Sequence, residues 1–306
     1  VRKCRREFRN TGISEAAKDR FLMVPRRTVA REIAVEGVAL HAGIPVKMRI
    51  RPAAGETGIR FCRSDLPQRP VITALWNNIL DSRFATVIGE NGVSVGVTEH
   101  LLAALSGAGI DDCMIELDGP EPPFLDGDAL SFLQLLDQAG TCELDQVCET
   151  IIVRRPVAVQ SANASVNLLP SPEPEFRFDI DFPGTLIGHQ TFECKFNEAT
   201  FRREIGPART FGFLDRADAL RQAGFARGAS LENTLVIDGD HLCNPGKQRF
   251  RDEFVRHKIL DAVGDLKLAG ALVIARFEGH RSSHALNAAV LRRLFSDPDN
   301  YQRIAA

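Results

Sequence analysis

A histidine and an aspartate four residues apart, His257 and Asp261, stand in the run His257-Lys258-Ile259-Leu260-Asp261-Ala262-Val263-Gly264-Asp265. Wound at about 100° per residue, Ile259, Leu260, Val263 and Leu266 gather on one side, so the spacing predicts a helix pinned to a core by that stripe. His257, Asp261 and Asp265 step slowly round the other side. His257 and Asp261 then lie roughly 6 Å apart along the axis, close enough to share an ion, and neutral imidazole and carboxylate are ordinary zinc donors. Asp265, about 12 Å along the axis from His257, suits a place behind the metal, orienting another catalytic group. The His-x3-Asp spacing alone fits a solvated polar face equally well. It needs a third donor.

Thr98-Glu99-His100 offers one. It opens a predicted helix whose Leu101, Leu102 and Leu105 sit together, with His100 on the far side from that stripe. Glu99 points elsewhere, so one residue can bind metal while its neighbour reaches the water that the metal activates, a recurrent hydrolase arrangement. The plainer role for Glu99 is a carboxylate at the helix N-terminus. His284 lies where the loop Gly279–Ser283 enters the last predicted helix. Held charged by a carboxylate such as Asp265, it could stabilise an oxyanion or protonate a departing amine. His41 sits at a turn and lines a cleft in this reading; His189, His241 and His280 read as surface residues.

The elements that must position these groups come in two runs. Strands are predicted at 28–38 and 46–50, with a hairpin of 86–88 and 93–97 around Glu90-Asn91-Gly92, where Asn-Gly is a favoured turn pair. A helix from Thr98 to Ser106, a strand at 113–117 and a helix at 129–139 follow. The second run has strands at 151–159, 164–169, 176–182 and 190–196, helices at 213–222 and 252–268, a strand at 271–277 and a final helix at 283–295. Strands gathered before helices in both halves predict an α+β fold rather than a doubly wound sheet. The polar stretch 140–150 reads as a linker. The organisation expected is an irregular extension over residues 1–25, a first α+β domain over 26–148 and a second over 149–306. No sequence repeat between the halves is strong enough to establish duplication.

Length and composition agree with this. A chain of 306 residues is long for one compact core, and two domains are the natural prior. A hydrophobic share of 44% with 25% charged residues is that of a globular protein, and a formal net charge of −2 supplies no basic field for nucleic acid. No stretch approaches the roughly 18 apolar residues of a membrane span. The seven cysteines are scattered with no CxxC pair, which argues against a disulfide framework or a thiolate zinc site and for a cytoplasmic protein with reduced thiols.

Seven ordered blocks carry a resemblance. They are Gly37–Gly43 (GVALHAG), Thr98–Leu105 (TEHLLAAL), Phe124–Asp128 (FLDGD), Ala208–Phe213 (ARTFGF), Ser230–Val236 (SLENTLV), Phe254–Leu266 (FVRHKILDAVGDL) and Gly279–Asn287 (GHRSSHALN). Together, across nearly the whole chain, they resemble the UDP-3-O-acyl-N-acetylglucosamine deacetylases, zinc enzymes of lipid A synthesis. The resemblance implies two α+β domains, each a sheet layered against helices, with helices packed between the two sheets. It implies one Zn²⁺ per chain on His100, His257 and Asp261, the three residues that helical spacing also selects. Glu99 is then the general base, His284 the second acid/base group and Asp265 its holder. Thr210 is implied to assist the oxyanion, and Phe211 and Lys258 to contact substrate. The implied partner is a nucleotide-sugar lipid, the implied reaction the committed deacetylation of lipid A synthesis, and a monomer is expected.

The resemblance further implies an acyl-chain passage built by the 211–229 segment, where Phe213, Leu214, Leu220 and Phe225 are candidates for its lining. The chain departs from the family pattern in its extension before Arg26, in Lys267 where an aromatic is common, and in Ala229 where glycine is usual. Two other readings remain: a zinc amidohydrolase of a different acylated sugar, and a non-catalytic binder of a nucleotide-sugar lipid. The intact set of His100, His257, Asp261, Glu99 and His284 counts against the second.

Overall fold

The structure, a computed structural model, describes residues 24–304. The expected extension therefore lies outside the described residues up to position 23, and Pro25 already opens a strand.

Two five-stranded sheets dominate. The first runs, in spatial order, Ile33–Val38, Pro45–Pro52, Cys113–Leu117, Ile59–Arg63, Val71–Thr73. The second runs Val157–Ser161, Ala164–Leu169, Arg276–His280, Glu175–Phe182, Gly188–Lys195. In each, the last strand in sequence is inserted at the centre and pairs parallel with the third, while the other pairings are antiparallel. A three-stranded sheet accompanies each half: Ile79–Asp81, Val87–Glu90 and Val93–Val95 in the first, Phe211–Phe213, Leu235–Asp238 and His241–Leu242 in the second. The two large sheets thus repeat one topology, which the residues do not reveal. This is an α+β fold of two like domains.

Among the described residues the six α-helices are α1 (Glu99–Gly107), α2 (Leu130–Ala139), the single turn α3 (Glu198–Thr200), α4 (Leu214–Gln222), α5 (Glu253–Lys267) and α6 (His284–Phe295). α1 and α5 occupy the same place in the two halves, each following its three-stranded sheet, and they pack on each other. The sheets cover them from outside. Val46, Met48 and Ile50 point inward from one sheet, Phe176, Phe178 and Ile180 from the other, and these residues share one continuous core with Leu101, Leu102, Ile259 and Leu260. At the crossing of α1 and α5 a methyl on Gly264 would stand 1.9 Å from the Glu99 carbonyl oxygen. Only glycine permits that approach.

Several expectations need correction. The polar stretch taken for a linker contains the strand Thr141–Val147, paired antiparallel with Pro25–Val29. Its residues are mostly exposed, so no apolar alternation marks it. The expected strand at 28–38 is two strands, ending at Val29 and restarting at Ile33. That at 151–159 breaks at Pro156, which has no N–H for a ladder, into Thr150–Val153 and Val157–Ser161. That at 271–277 divides between two sheets, with Leu272–Ile274 beside Thr150–Val153 and Arg276–His280 at the centre of the second large sheet. The Asn-Gly hairpin is present, with φ of 53° at Asn91 and 81° at Gly92, both positive as the tight hairpin turn requires.

Candidate active site

Helical spacing predicts an amphipathic α1 with His100 turned from the core. It is instead buried nearly all round, and so is the His257/Asp261/Asp265 row of α5. Sandwiching between two sheets leaves neither helix a solvated face, so the polar side chains meet one another in the interior.

There, ligand atoms of His100, His257 and Asp261 all lie within 4.8 Å of one another, the one such group of His, Cys, Asp or Glu found among the described residues. Asp261 Oδ1 stands 3.6 Å from His100 Nε2 and 3.3 Å from His257 Nε2. The two imidazoles are nearly perpendicular, with centroids 4.9 Å apart. His257 Nδ1 donates to the Ala208 carbonyl at 3.0 Å, which leaves the Nε2 lone pair facing the group. Asp261 Oδ1 is buried without a hydrogen-bond donor. A divalent cation fits these residues: one anionic and two neutral donors converge, and an orphaned carboxylate oxygen lies between them.

The electrostatics agree. Burial drives His257 down to about 3, outweighing the nearby Asp261, so its ring is neutral. Burial alone would raise Asp261, but the Lys258 ammonium at 2.6 Å, together with His284, holds it well below the usual carboxylate range. Lys258, implied to contact substrate, here donates to Asp261 Oδ2.

Glu99 lies beside this group. Its Oε2 accepts the Thr86 N–H at 3.0 Å, its Oε1 faces His284 Nε2 at 3.8 Å, and burial raises its pKa. His284 Nδ1 meets Asp265 Oδ2 at 2.8 Å. Burial by itself would lower the imidazole, but the carboxylates of Asp265, Glu99 and Asp261 outweigh it and raise His284 to about 9. Asp265 is thus in contact with the group it was expected to orient.

The Ala208–Phe213 block reaches the site through its backbone. Arg209 forks onto Glu253 at the start of α5, with Nε–Oε1 at 2.9 Å, and its own N–H donates to the same oxygen at 3.0 Å. This clamp aims the Ala208 carbonyl at His257. Thr210 follows, its N–H on Gly127 O and its carbonyl accepting from Leu235. The Phe211 ring packs 6.4 Å from the His257 ring. His41 Nδ1 accepts the Ala226 N–H at 3.2 Å and its ring meets Phe225 edge-on, while burial drives it down to about 4. Phe225 in turn lies 4.6 Å from the half-exposed Phe84, and α4 buries none of its residues. His189, His241 and His280 have exposed side chains.

Three contributors escaped the sequence reading. The Thr86 hydroxyl donates to Asp265 Oδ1 at 2.5 Å, Asn287 Nδ2 donates to Asp265 Oδ2 at 2.8 Å, and Glu253 clamps Arg209. Asn287 stands in the same short block as His284, and that proximity was the only signal for it. Thr86 and Glu253 offer none, being a strand-edge threonine and a first-turn acid.

The family model for UDP-3-O-acyl N-acetylglycosamine deacetylases matches residues 26–296. The UDP-3-O-acyl-N-acetylglucosamine deacetylase of Myxococcus xanthus (strain DK1622) is 43% identical over 281 residues, covering 92% of this chain and 90% of its own. The enzyme of that name from a Nitratiruptor species is 40% identical, covering 92% of this chain and 94% of its own. That of Campylobacter jejuni subsp. jejuni serotype O:2 is 38% identical, covering 91% of this chain and 94% of its own. With the model spanning nearly all the described residues and the His/His/Asp group at the meeting of the two domains, the chain belongs to the UDP-3-O-acyl-N-acetylglucosamine deacetylase family.

Proposed function

We propose that this protein hydrolyses the N-acetyl amide of UDP-3-O-acyl-N-acetylglucosamine, giving UDP-3-O-acyl-glucosamine and acetate, the committed step of lipid A synthesis. The observation that carries the reading is the convergence of His100, His257 and Asp261 next to a buried carboxylate and a buried imidazole held by a second carboxylate. The metal is one Zn²⁺ per chain. When bound it supplies Lewis acidity, which makes water a nucleophile near neutral pH and polarises the amide carbonyl.

This chain's residues do the rest. Glu99, its basicity raised by burial, takes the proton of the attacking water. His284, cationic and fixed by Asp265, offers its Nε2 proton to the oxyanion and, with Glu99, to the departing amine. Thr210 adds a donor to the oxyanion. Phe211 packs against the substrate. Lys258 keeps Asp261 ionised and contacts the substrate beside it. The loosely packed 211–229 segment, with Phe213, Leu214, Leu220 and Phe225, takes the acyl chain. The protein works as a monomer in the cytoplasm, with domains at 26–148 and 149–306; no helix among the described residues is long and apolar enough to cross a membrane.

The test is acetate release before chelation, after it, and after zinc is restored, on the acylated substrate and on UDP-N-acetylglucosamine. Activity should vanish and return with zinc and strongly favour the acylated substrate. Equal rates on both, or activity that survives chelation, would remove the reading.

The pH profile supplies a second prediction. A group raised to about 9 keeps its proton through neutrality and loses it as pH climbs, so kcat/KM should fall on a basic limb. Zinc's positive charge pushes that limb to or below the value set by the protein alone. Asp265→Asn deletes the nearest raising carboxylate and should move the limb to lower pH. An unmoved limb would detach it from His284.

A further inference from the structure

We propose that a cavity at the far ends of the two site helices binds an amphipathic carboxylate, an aliphatic chain with one anionic head. The cavity holds about 430 Å³, within the roughly 300–1,000 Å³ of small-molecule sites. It lies beneath the C-terminal ends of α1 and α5, bounded by Ser106 on one and Lys267 on the other, and shares no lining residue with the metal group. Its walls are apolar, chiefly Phe176, Phe196, Val263, Leu266, Leu272 and Val273.

The head-group chemistry comes from Lys267. Its side chain is only 12% exposed and its Nζ stands 3.5 Å from Asp111 Oδ1, longer than the roughly 2.7–2.9 Å of a charge-assisted hydrogen bond. Asp111 is otherwise engaged: its Oδ2 accepts the Arg27 N–H at 3.1 Å and the Cys148 thiol at 3.2 Å. An ammonium has three donors, and donors so nearly buried are normally matched. Arg27 adds a second cation at the rim, its guanidinium 3.7 Å from the exposed Glu143. The rim carboxylates Glu149 and Glu173 are already paired with Arg303 and Lys195. A ligand carboxylate would give the Lys267 ammonium a closer acceptor than Asp111 Oδ1 does.

The probes are hexanoate, octanoate, decanoate and 1-decanol, titrated calorimetrically into the zinc-loaded full chain. The fluorescence of Trp76, the single tryptophan, serves as a nearby reporter, because its backbone N–H donates to Leu268 O at 2.7 Å just beyond α5. Saturable binding should tighten by up to about fourfold per added methylene, and 1-decanol should bind about tenfold or more weaker than decanoate. Lys267→Met should lose the preference for decanoate over the alcohol, and Lys267→Arg should keep it. If Lys267→Met does not fold, the acid–alcohol comparison and the Trp76 response of the parent protein still decide. Unchanged decanoate binding by folded Lys267→Met would place the ligand elsewhere, including the proposed acyl passage, and overturn the proposal. So would an absence of saturable binding, or binding that appears only after residues 1–23 are removed, since the chain itself would then fill the cavity.

Discussion

Glu99→Gln is expected to leave zinc content and fold intact while kcat/KM falls by roughly 10²–10⁴-fold, the usual contribution of a general acid–base group. Glutamine is the informative replacement. Glu99 Oε2 accepts the Thr86 N–H deep in the core, and alanine would strand that donor at a cost of about 1–3 kcal/mol, confusing stability with catalysis. The amide oxygen of glutamine keeps the bond but cannot take a proton from water near neutral pH. Glu99 is not among the three converging donors, so elemental analysis should find the parent metal content. A Glu99→Gln enzyme within a few-fold of the parent rate would move the base to another residue.

His257→Ala is expected to do the opposite: lose the metal, and with it essentially all turnover. Lewis-acid stabilisation contributes several kcal/mol at the transition state, so the fall should be roughly a thousandfold or more. The reason lies in how His257 is held. Its Nδ1 is tied to the Ala208 carbonyl, which the Arg209–Glu253 clamp fixes, so the Nε2 lone pair has one direction available. Neither neighbouring base substitutes, for Lys258 has no lone pair while charged and His284 is committed to Asp265. Circular dichroism and metal analysis before and after zinc addition would check it. A folded His257→Ala protein with stoichiometric zinc would refute the coordination set.

The candidate site was more legible than the scaffold that brings it together. His257, Asp261 and Asp265 sit on one helix, where spacing fixes relative position from sequence alone. Pairing that helix with Glu99 and His100 is different, for nothing local specifies a contact across more than 150 residues. The resemblance supplied that link, and the close approach at Gly264 explains it physically. Burial was misjudged for the complementary reason. Periodicity assumes one wet face, and a helix enclosed by two sheets has none, so His100 and the α5 row seemed to face solvent. Short strands such as Val71–Thr73 and His241–Leu242 carry too few residues for alternation to register. Thr141–Val147 is polar on both sides, and its pairing with the first strand depends on chain return rather than on composition.

The repeated topology has a consequence for how such a centre can arise. A symmetric pair of identical subunits must present the same groups from both sides of its interface. Here the counterpart helices contribute unequally: α1 brings one imidazole, from its second residue, and a neighbouring carboxylate, while α5 brings an imidazole from its fifth residue and an aspartate one turn later. Two like domains on one chain are under no such constraint, so the seam between them can hold the lopsided chemistry that amide cleavage demands.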